Sequence, residues 1–299
     1  MYQAFFDLRE LPFELSADPR YLLLTTRHRH AATMLHDALD RRGGITLLLG
    51  EPGMGKTSLL TAMIPGRRAA GHCIALIDNP ALTRAELFEE LGRLVGLTEG
   101  PLTKPRVLAA MSALARRTVA AGRTLAIVID EAQSLSDGLL EELRLLSNIP
   151  IGPRTALPVV LAGQAEFADR LNQPAFAALK QRIVRRYRLE PLTLAETAAY
   201  VSGRIAIAGG DAGTVFTADG IKAVHAAAGG IPRLINTICD NTLRQACLRR
   251  VRPAERRHVS EALRLMELDR PDPARFAHAE AHGLAPAQVW GTPALVTKD

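Results

Sequence analysis

Aromatic side chains are scarce: 1 Trp, 4 Tyr and 8 Phe make up 4% of 299 residues. A surface built from rings that stack on exposed bases is therefore not expected. Cysteine is sparse too. Cys73, Cys239 and Cys247 are an odd number without a CxxC pair, which argues against a disulfide framework or a zinc site and leaves buried thiols. Long apolar runs are missing. The longest, such as Ile45 to Leu49 and Ala156 to Ala162, fall far short of the roughly 20 residues a bilayer span needs. The stretch from Met1 to Leu24 carries Asp7, Arg9, Glu10, Glu14, Asp18 and Arg20, so it holds no uninterrupted apolar core of a targeting signal. Cytoplasmic residence is the resulting expectation. There is no internal repeat.

What is present is an ordinary globular composition, 47% apolar and 23% charged, with enough Leu, Ile, Val and Ala to exclude global disorder. Lys and Arg (37) exceed Asp and Glu (31), a net +6 that admits an acidic partner such as nucleic acid. Short apolar runs at 45–49, 73–77, 125–129 and 157–161 read as buried strands, with Pro158 marking a strand edge and a short fifth strand at 187–189. Helical patterns fall between them. Thr83-Arg-Ala-Glu86 is a capping box, 107–119 is helical, and Ser136 caps a helix to Leu146. Strands alternating with helices imply an α/β fold with a parallel, five-stranded sheet covered on both faces. After Pro191 the pattern turns all-helical, opening with the capping box Thr193-Leu-Ala-Glu196 and continuing from about Thr217, Pro232 and Pro253. The expected organisation is an α/β domain over 1–190, a helical lid over 191–268 and a loose tail over 269–299, in which Trp290 has no evident role.

The chemistry is concentrated at two strand ends. Gly50, Glu51, Pro52, Gly53, Met54, Gly55, Lys56 and Thr57 match GxxxxGK[ST] directly after the first strand, and Ser58 to Met63 is helix-compatible. Such glycines let successive N–H groups turn inward on phosphates, and the helix N-terminus adds a positive dipole end. Lys56 would neutralise the β- and γ-phosphates of ATP, and the Thr57 hydroxyl would coordinate Mg²⁺. The third strand ends in Asp130-Glu131. Asp130 would hold Mg²⁺, partly through water, and Glu131 would orient the attacking water. A solvated acidic corner is the competing reading. Gln164, after the fourth strand, can reach a γ-phosphate or simply sit in a loop. Arg182, Arg185, Arg186 and Arg188 are either a charged face or the source of an arginine finger acting on a neighbour's nucleotide. In Gly229-Gly-Ile-Pro-Arg233, Pro232 suits a first helical position, and Arg233 would either face the phosphates or be a surface arginine.

This ordered set resembles an AAA+ P-loop ATPase and, more narrowly, the ExeA/GspA family of secretion ATPases. The matching segments run over about 1–268. They are Phe5-Phe-Asp-Leu, Leu11-Pro-Phe13, Ala17-Asp-Pro-Arg-Tyr-Leu22, the phosphate loop and Asp130-Glu-Ala-Gln-Ser-Leu135, then Gly163-Gln-Ala-Glu-Phe167, Leu179-Lys-Gln-Arg-Ile183, Pro191-Leu-Thr-Leu-Ala-Glu-Thr197 and Gly229-Gly-Ile-Pro-Arg233. The resemblance implies that Gln164 is the first sensor, Arg182 the trans finger with Arg185 and Arg186 as fallbacks, and Arg233 the second sensor. It also implies that Pro12-Phe13 lies against adenine, and that ATP sits between the α/β unit and the lid of a homo-oligomer, a ring or a filament. Ala165-Glu-Phe167 departs from a more usual Pro-Glu-Leu. Secretion-type members continue into a membrane helix and a peptidoglycan-binding domain, which are not expected in these 299 residues. The leading expectation is an ATPase serving a membrane-associated secretion or envelope-assembly protein, recruited to the inner face of the membrane. The alternative, similar to TniB/TnsC transposition ATPases, is a soluble regulator that binds duplex DNA with a transposase. Arg249-Arg-Val-Arg252 and Arg256-Arg257 are its motivation, though no recognition-helix pattern accompanies them.

Overall fold

Apolar runs without alternation have to be buried on both faces, and one parallel sheet does this here. The computed structural model describes residues 2–14, 19–21, 25–40, 43–78, 80–152 and 155–268. Its strands are β1 (Ile45–Leu49), β2 (Cys73–Ile77), β3 (Leu125–Ile129), β4 (Pro150–Gly152), β5 (Thr155–Ala156), β6 (Val159–Gly163) and β7 (Ile183–Arg188). β4 and β5 form a small antiparallel hairpin, and the others form the five-stranded parallel sheet in the order β2-β3-β6-β1-β7. Every residue of β1, β3 and β6 is buried, as the central places require. β6 begins directly after Pro158, whose missing N–H is harmless there and whose carbonyl accepts from the Ile127 N–H at 3.1 Å.

The fifth strand is longer than the 187–189 expected from the sequence. It is an edge strand whose exposure alternates along Ile183–Arg188, so its outer face carries charge that hides it from a search for apolar runs. Helices α1 (Thr26–Asp40), α2 (Lys56–Ala69), α3 (Arg84–Leu94), α4 (Lys104–Ala120), α5 (Asp137–Leu146), α6 (Ala165–Leu171) and α7 (Ala177–Lys180) connect the strands. Their apolar faces pack with the sheet in one core that includes Leu47, Ile127, Leu161, Leu91, Met111 and Leu143. Each such side chain contributes about 1.5–3 kcal/mol on burial. The local signals are realised. The Thr83 hydroxyl accepts from the Glu86 N–H at 3.3 Å while the Glu86 carboxylate accepts from the Thr83 N–H at 2.6 Å. Ser136 Oγ accepts from the Leu139 N–H at 3.3 Å.

This α/β unit spans Leu24–Glu190. The second unit comprises α8 (Leu194–Ile207), α9 (Ala212–Val215), α10 (Ala218–Ala228), α11 (Pro232–Leu248) and α12 (Arg256–Leu265), together with the chain before Leu24. The N-terminal segment thus differs from the expectation that placed it with the α/β domain. Its apolar side chains find their burial among the later helices: Tyr2, Phe6 and Phe13 lie in one core with Val201, Ile205, Ile235 and Leu243. The Tyr2 hydroxyl donates to Asp240 at 2.6 Å. Arg204, only 5% exposed, donates to the carbonyls of Pro12 at 2.5 Å and Glu14 at 3.1 Å and to the Tyr200 hydroxyl at 3.0 Å.

The glycine pair before α11 is required by space. Gly229 caps α10 in the left-handed conformation, and at Gly230 a Cβ would meet the Leu192 carbonyl oxygen at 2.2 Å. Among the described residues no helix is long and apolar enough to cross a membrane. The expected 269–299 tail, with Trp290, lies outside the described residues.

Candidate nucleotide-binding site

The sheet order decides which strand ends are neighbours. β6 lies between β1, which leads into the glycine loop, and β3, which leads into Asp130. Leu49 pairs with Gly163 and Ile129 with Leu161, and the Gly50 N–H donates to the Gly163 carbonyl at 3.2 Å. Gly50, Asp130 and Gln164 therefore leave the same C-terminal edge of one sheet, the edge at which open α/β sheets bind ligands.

Gly53 and Gly55 have φ of 82° and 87°, which side-chain-bearing residues rarely adopt, and the loop turns there into α2. No side chain caps α2 at Gly55, and its first turn carries no acidic residue. Its first N–H groups consequently form an anion-ready terminus. Lys56 is 4% exposed and donates to the carbonyls of Gly50 at 2.8 Å and Glu51 at 3.2 Å. Thr57 and Ser58 are exposed in the same first turn, with Pro52 exposed and Met54 buried in the loop. Uncapped donors, a lysine folded over them and a free hydroxyl form a donor set that fits a polyphosphate. The buried Asp130 carboxylate and the Thr57 hydroxyl are hard oxygen donors of the kind Mg²⁺ takes alongside phosphate oxygens and water. Among the described residues no group of three or more His, Cys, Asp or Glu could hold a metal ion unaided.

Asp130 Oδ1 accepts from the Glu131 N–H at 2.9 Å. Glu131 sits in a left-handed turn, φ 48°, that points the chain away from the strand, and its carboxylate is half-buried. Gln164, also half-buried, is the residue before α6. Arg182 is exposed just before β7, and Arg186 is exposed within it, whereas Arg185 is half-buried 4.0 Å from Asp37. Arg233 is exposed in the first turn of α11, where Pro232 occupies the expected early position. Phe13 is buried edge-on against Phe216 at 6.3 Å, so its ring is part of the helical core.

Two residues that sequence reasoning did not single out support this edge. His28, on α1 and 7% exposed, donates through Nε2 to the Met54 carbonyl at 3.0 Å, and its Nδ1 accepts from the Thr25 hydroxyl at 2.8 Å. It braces the glycine loop from behind. Gln133 lies between Glu131 and the Gln164 backbone. Thr25-x-x-His28 has cap-like spacing, and Gln133 stands inside the Asp130–Leu135 motif, but neither signal names a distant partner.

The parallel sheet with its interposed strand, the glycine loop entering α2 and the paired carboxylates at β3 form the fold of AAA+ P-loop NTPases. A family model described as an AAA domain matches residues 39–171. Within that class the chain resembles the ExeA/GspA secretion ATPases: it is 39% identical over 247 residues to general secretion pathway protein A of Aeromonas hydrophila, a match covering 81% of this chain. It spans 44%, less than half, of that relative's length. Among solved structures, Cdc6p of Pyrobaculum aerophilum superposes with a TM-score of 0.60 at 18% identity, covering 85% of this chain and 70% of that one. The Thermotoga maritima RuvB Holliday junction branch migration motor does so with a TM-score of 0.51 at 14% identity, covering 87% and 82%. Both likenesses concern the fold.

Proposed function

We propose that this chain binds ATP with Mg²⁺, hydrolyses it to ADP and phosphate, and as a homo-oligomer couples that turnover to a membrane-associated secretion or envelope-assembly machine. The observation that carries the reading is the convergence of the Gly50–Thr57 loop and the Asp130-Glu131 pair on one sheet edge of a chain similar to a general secretion pathway protein. The Gly50–Gly55 loop, through N–H groups such as those of Gly53 and Gly55, and the first turn at Ser58 hold the phosphates, and Lys56 neutralises the β- and γ-oxygens. Thr57 and Asp130 take Mg²⁺, the latter partly through water. Glu131 accepts a hydrogen bond from the attacking water and aligns it. Gln164 senses the γ-phosphate, Arg182 of an adjacent subunit offsets transition-state charge, and Arg233 acts as the second sensor. The protein works in the cytoplasm at the inner face of the membrane.

Exposure of Arg182 supports its role over Arg185, which stands near Asp37. The basic clusters that suggested DNA are partly neutralised within the chain: Arg249 pairs with Glu261 at 2.6 Å, Arg252 with Asp7 at 2.5 Å and Arg257 with Glu255 at 3.1 Å. The test is phosphate release by the wild type with Mg-ATP, with light scattering of the same samples. Lys56→Ala should lose nucleotide affinity. Glu131→Gln should bind ATP, hydrolyse it poorly and trap the oligomer. Arg182→Ala should keep binding and lose turnover, and full activity in that variant removes the finger assignment. Turnover that rises with duplex DNA and fades with salt would replace the envelope role with DNA regulation.

A further inference from the structure

Glu131 does not stand alone at the end of β3. The chain leaves the strand through its left-handed backbone into a short turn, Ala132–Ser134, and the Gln133 side chain folds back over it. Gln133 Nε2 donates to Glu131 Oε2, and Gln133 Oε1 accepts from the Gln164 N–H at 3.2 Å. The orientation of this amide is dictated by its partners. Rotated by half a turn, it would set its oxygen against a carboxylate and its NH₂ against an N–H.

The turn is held from outside as well. Arg170, on α6, donates to the carbonyls of Gln133 at 3.1 Å and Leu135 at 2.8 Å, pairs with Asp137, and lies over the Phe176 ring at 5.4 Å. Below the amide, Gly163 leaves the space it needs: a Cβ there would lie 3.2 Å from Gln133 Oε1 and 3.2 Å from the Phe167 ring. The bridge therefore connects the end of β3 to the end of β6, the strand whose last residue accepts the Gly50 N–H.

We propose that Gln133 is a positioning residue for ATP hydrolysis: it holds one oxygen of the Glu131 carboxylate, presents the other to the attacking water, and ties that orientation to the Gln164 end of β6. The inference rests on the hydrolytic reading above. A carboxylate on a flexible side chain sweeps several rotamers, and a reacting group displaced by about 1 Å costs on the order of 10² in rate. Gln133→Ala should accordingly lower kcat by about 10- to 100-fold. ATP affinity and thermal midpoint should stay near wild type, because the phosphate loop and the core do not use the side chain. Gln133→Glu, which opposes two carboxylates, should be at least as slow.

The double variant Glu131→Gln/Gln133→Ala separates positioning from a general structural loss. It should be no slower than Glu131→Gln alone, since a positioning residue has nothing left to position. Independent, multiplying losses would overturn the proposal, as would an unchanged kcat in Gln133→Ala. A second readout does not need turnover. The Gln133 side-chain NH₂ resonances, assigned by their absence in Gln133→Ala, should move when Glu131 is changed to Ala. If the wild type releases no phosphate, the hydrolytic reading falls and the bridge is judged on this signal. Resonances indifferent to Glu131 overturn it.

Discussion

Replacing Arg204 by Leu should unfasten the N-terminal segment from the helical unit without touching the α/β sheet. The guanidinium is 5% exposed and reaches two backbone carbonyls nearly 200 positions away in sequence, Pro12 O at 2.5 Å and Glu14 O at 3.1 Å. It also lies over the rings of Tyr21 at 4.7 Å and Tyr200 at 5.6 Å. Hydrogen bonds from a charged donor contribute about 1.5–3 kcal/mol each, and a cation over a ring about 0.5–2 kcal/mol. Against this, leucine is spared the cost of desolvating a charge and buries apolar surface of its own. The net loss should be about 3 kcal/mol, which is about a 100-fold shift in a local opening equilibrium. Native-state hydrogen exchange reads it directly. The Leu8 N–H, bonded to Gln3 O at 2.9 Å, and the Arg9 N–H, bonded to Ala208 O at 2.8 Å, should exchange about 100-fold faster. The Asp130 N–H, bonded to Ile77 O at 2.8 Å in the sheet, should not change. Arg204→Lys should recover only part of the loss, because an ammonium cannot span both carbonyls and cover the rings. Less than a threefold change at Leu8 and Arg9, or equal acceleration in the sheet, would refute the reasoning.

Three further outcomes follow from particular contacts. His28→Ala removes the brace on the Met54 carbonyl, worth about 1 kcal/mol, and should weaken ATP binding about fivefold in a fluorescent-nucleotide titration while leaving Lys56 in place; unchanged affinity would show the brace to be idle. Gly230→Ala forces a Cβ to 2.2 Å from the Leu192 oxygen at a φ of 74°, and should destabilise the helical unit by about 2–4 kcal/mol in urea melts, a neutral result being incompatible with this turn. Burial holds His72, His225 and His258 below the ordinary value of 6.5, with the Nδ1 atoms of His72 and His258 accepting from the Thr124 and Glu255 N–H groups. Their neutral forms stabilise the fold fully above about pH 6.5, and that contribution is lost as pH falls toward the depressed values. The urea midpoint should thus fall between about pH 7 and pH 5, before the carboxylates titrate. A flat midpoint across that window would count against it.

Signals confined to a few neighbouring residues were legible from the chain alone. The Gly50–Thr57 loop, the apolar runs of β1, β2 and β3, the capping boxes at Thr83 and Thr193, the Ser136 cap and the early Pro232 all depend on spacings shorter than about two helical turns, where backbone sterics and local hydrogen bonds act. The edge strand was only half visible because exposed Arg186 and Arg188 alternate with its half-buried residues, one of which, Arg185, is itself charged. Insertion of β6 between β1 and β3, which aligns Gln164 with both functional strand ends, came from the packing of the whole sheet. So did the transfer of Tyr2, Phe6 and Phe13 into the helical core, the brace from His28 and the Gln133 bridge. In each of these a side chain meets a partner that only chain folding brings near. The amino-acid order determined which chemical groups exist and the short elements that carry them, while burial of apolar surface at long range decided which of them share one edge of the sheet.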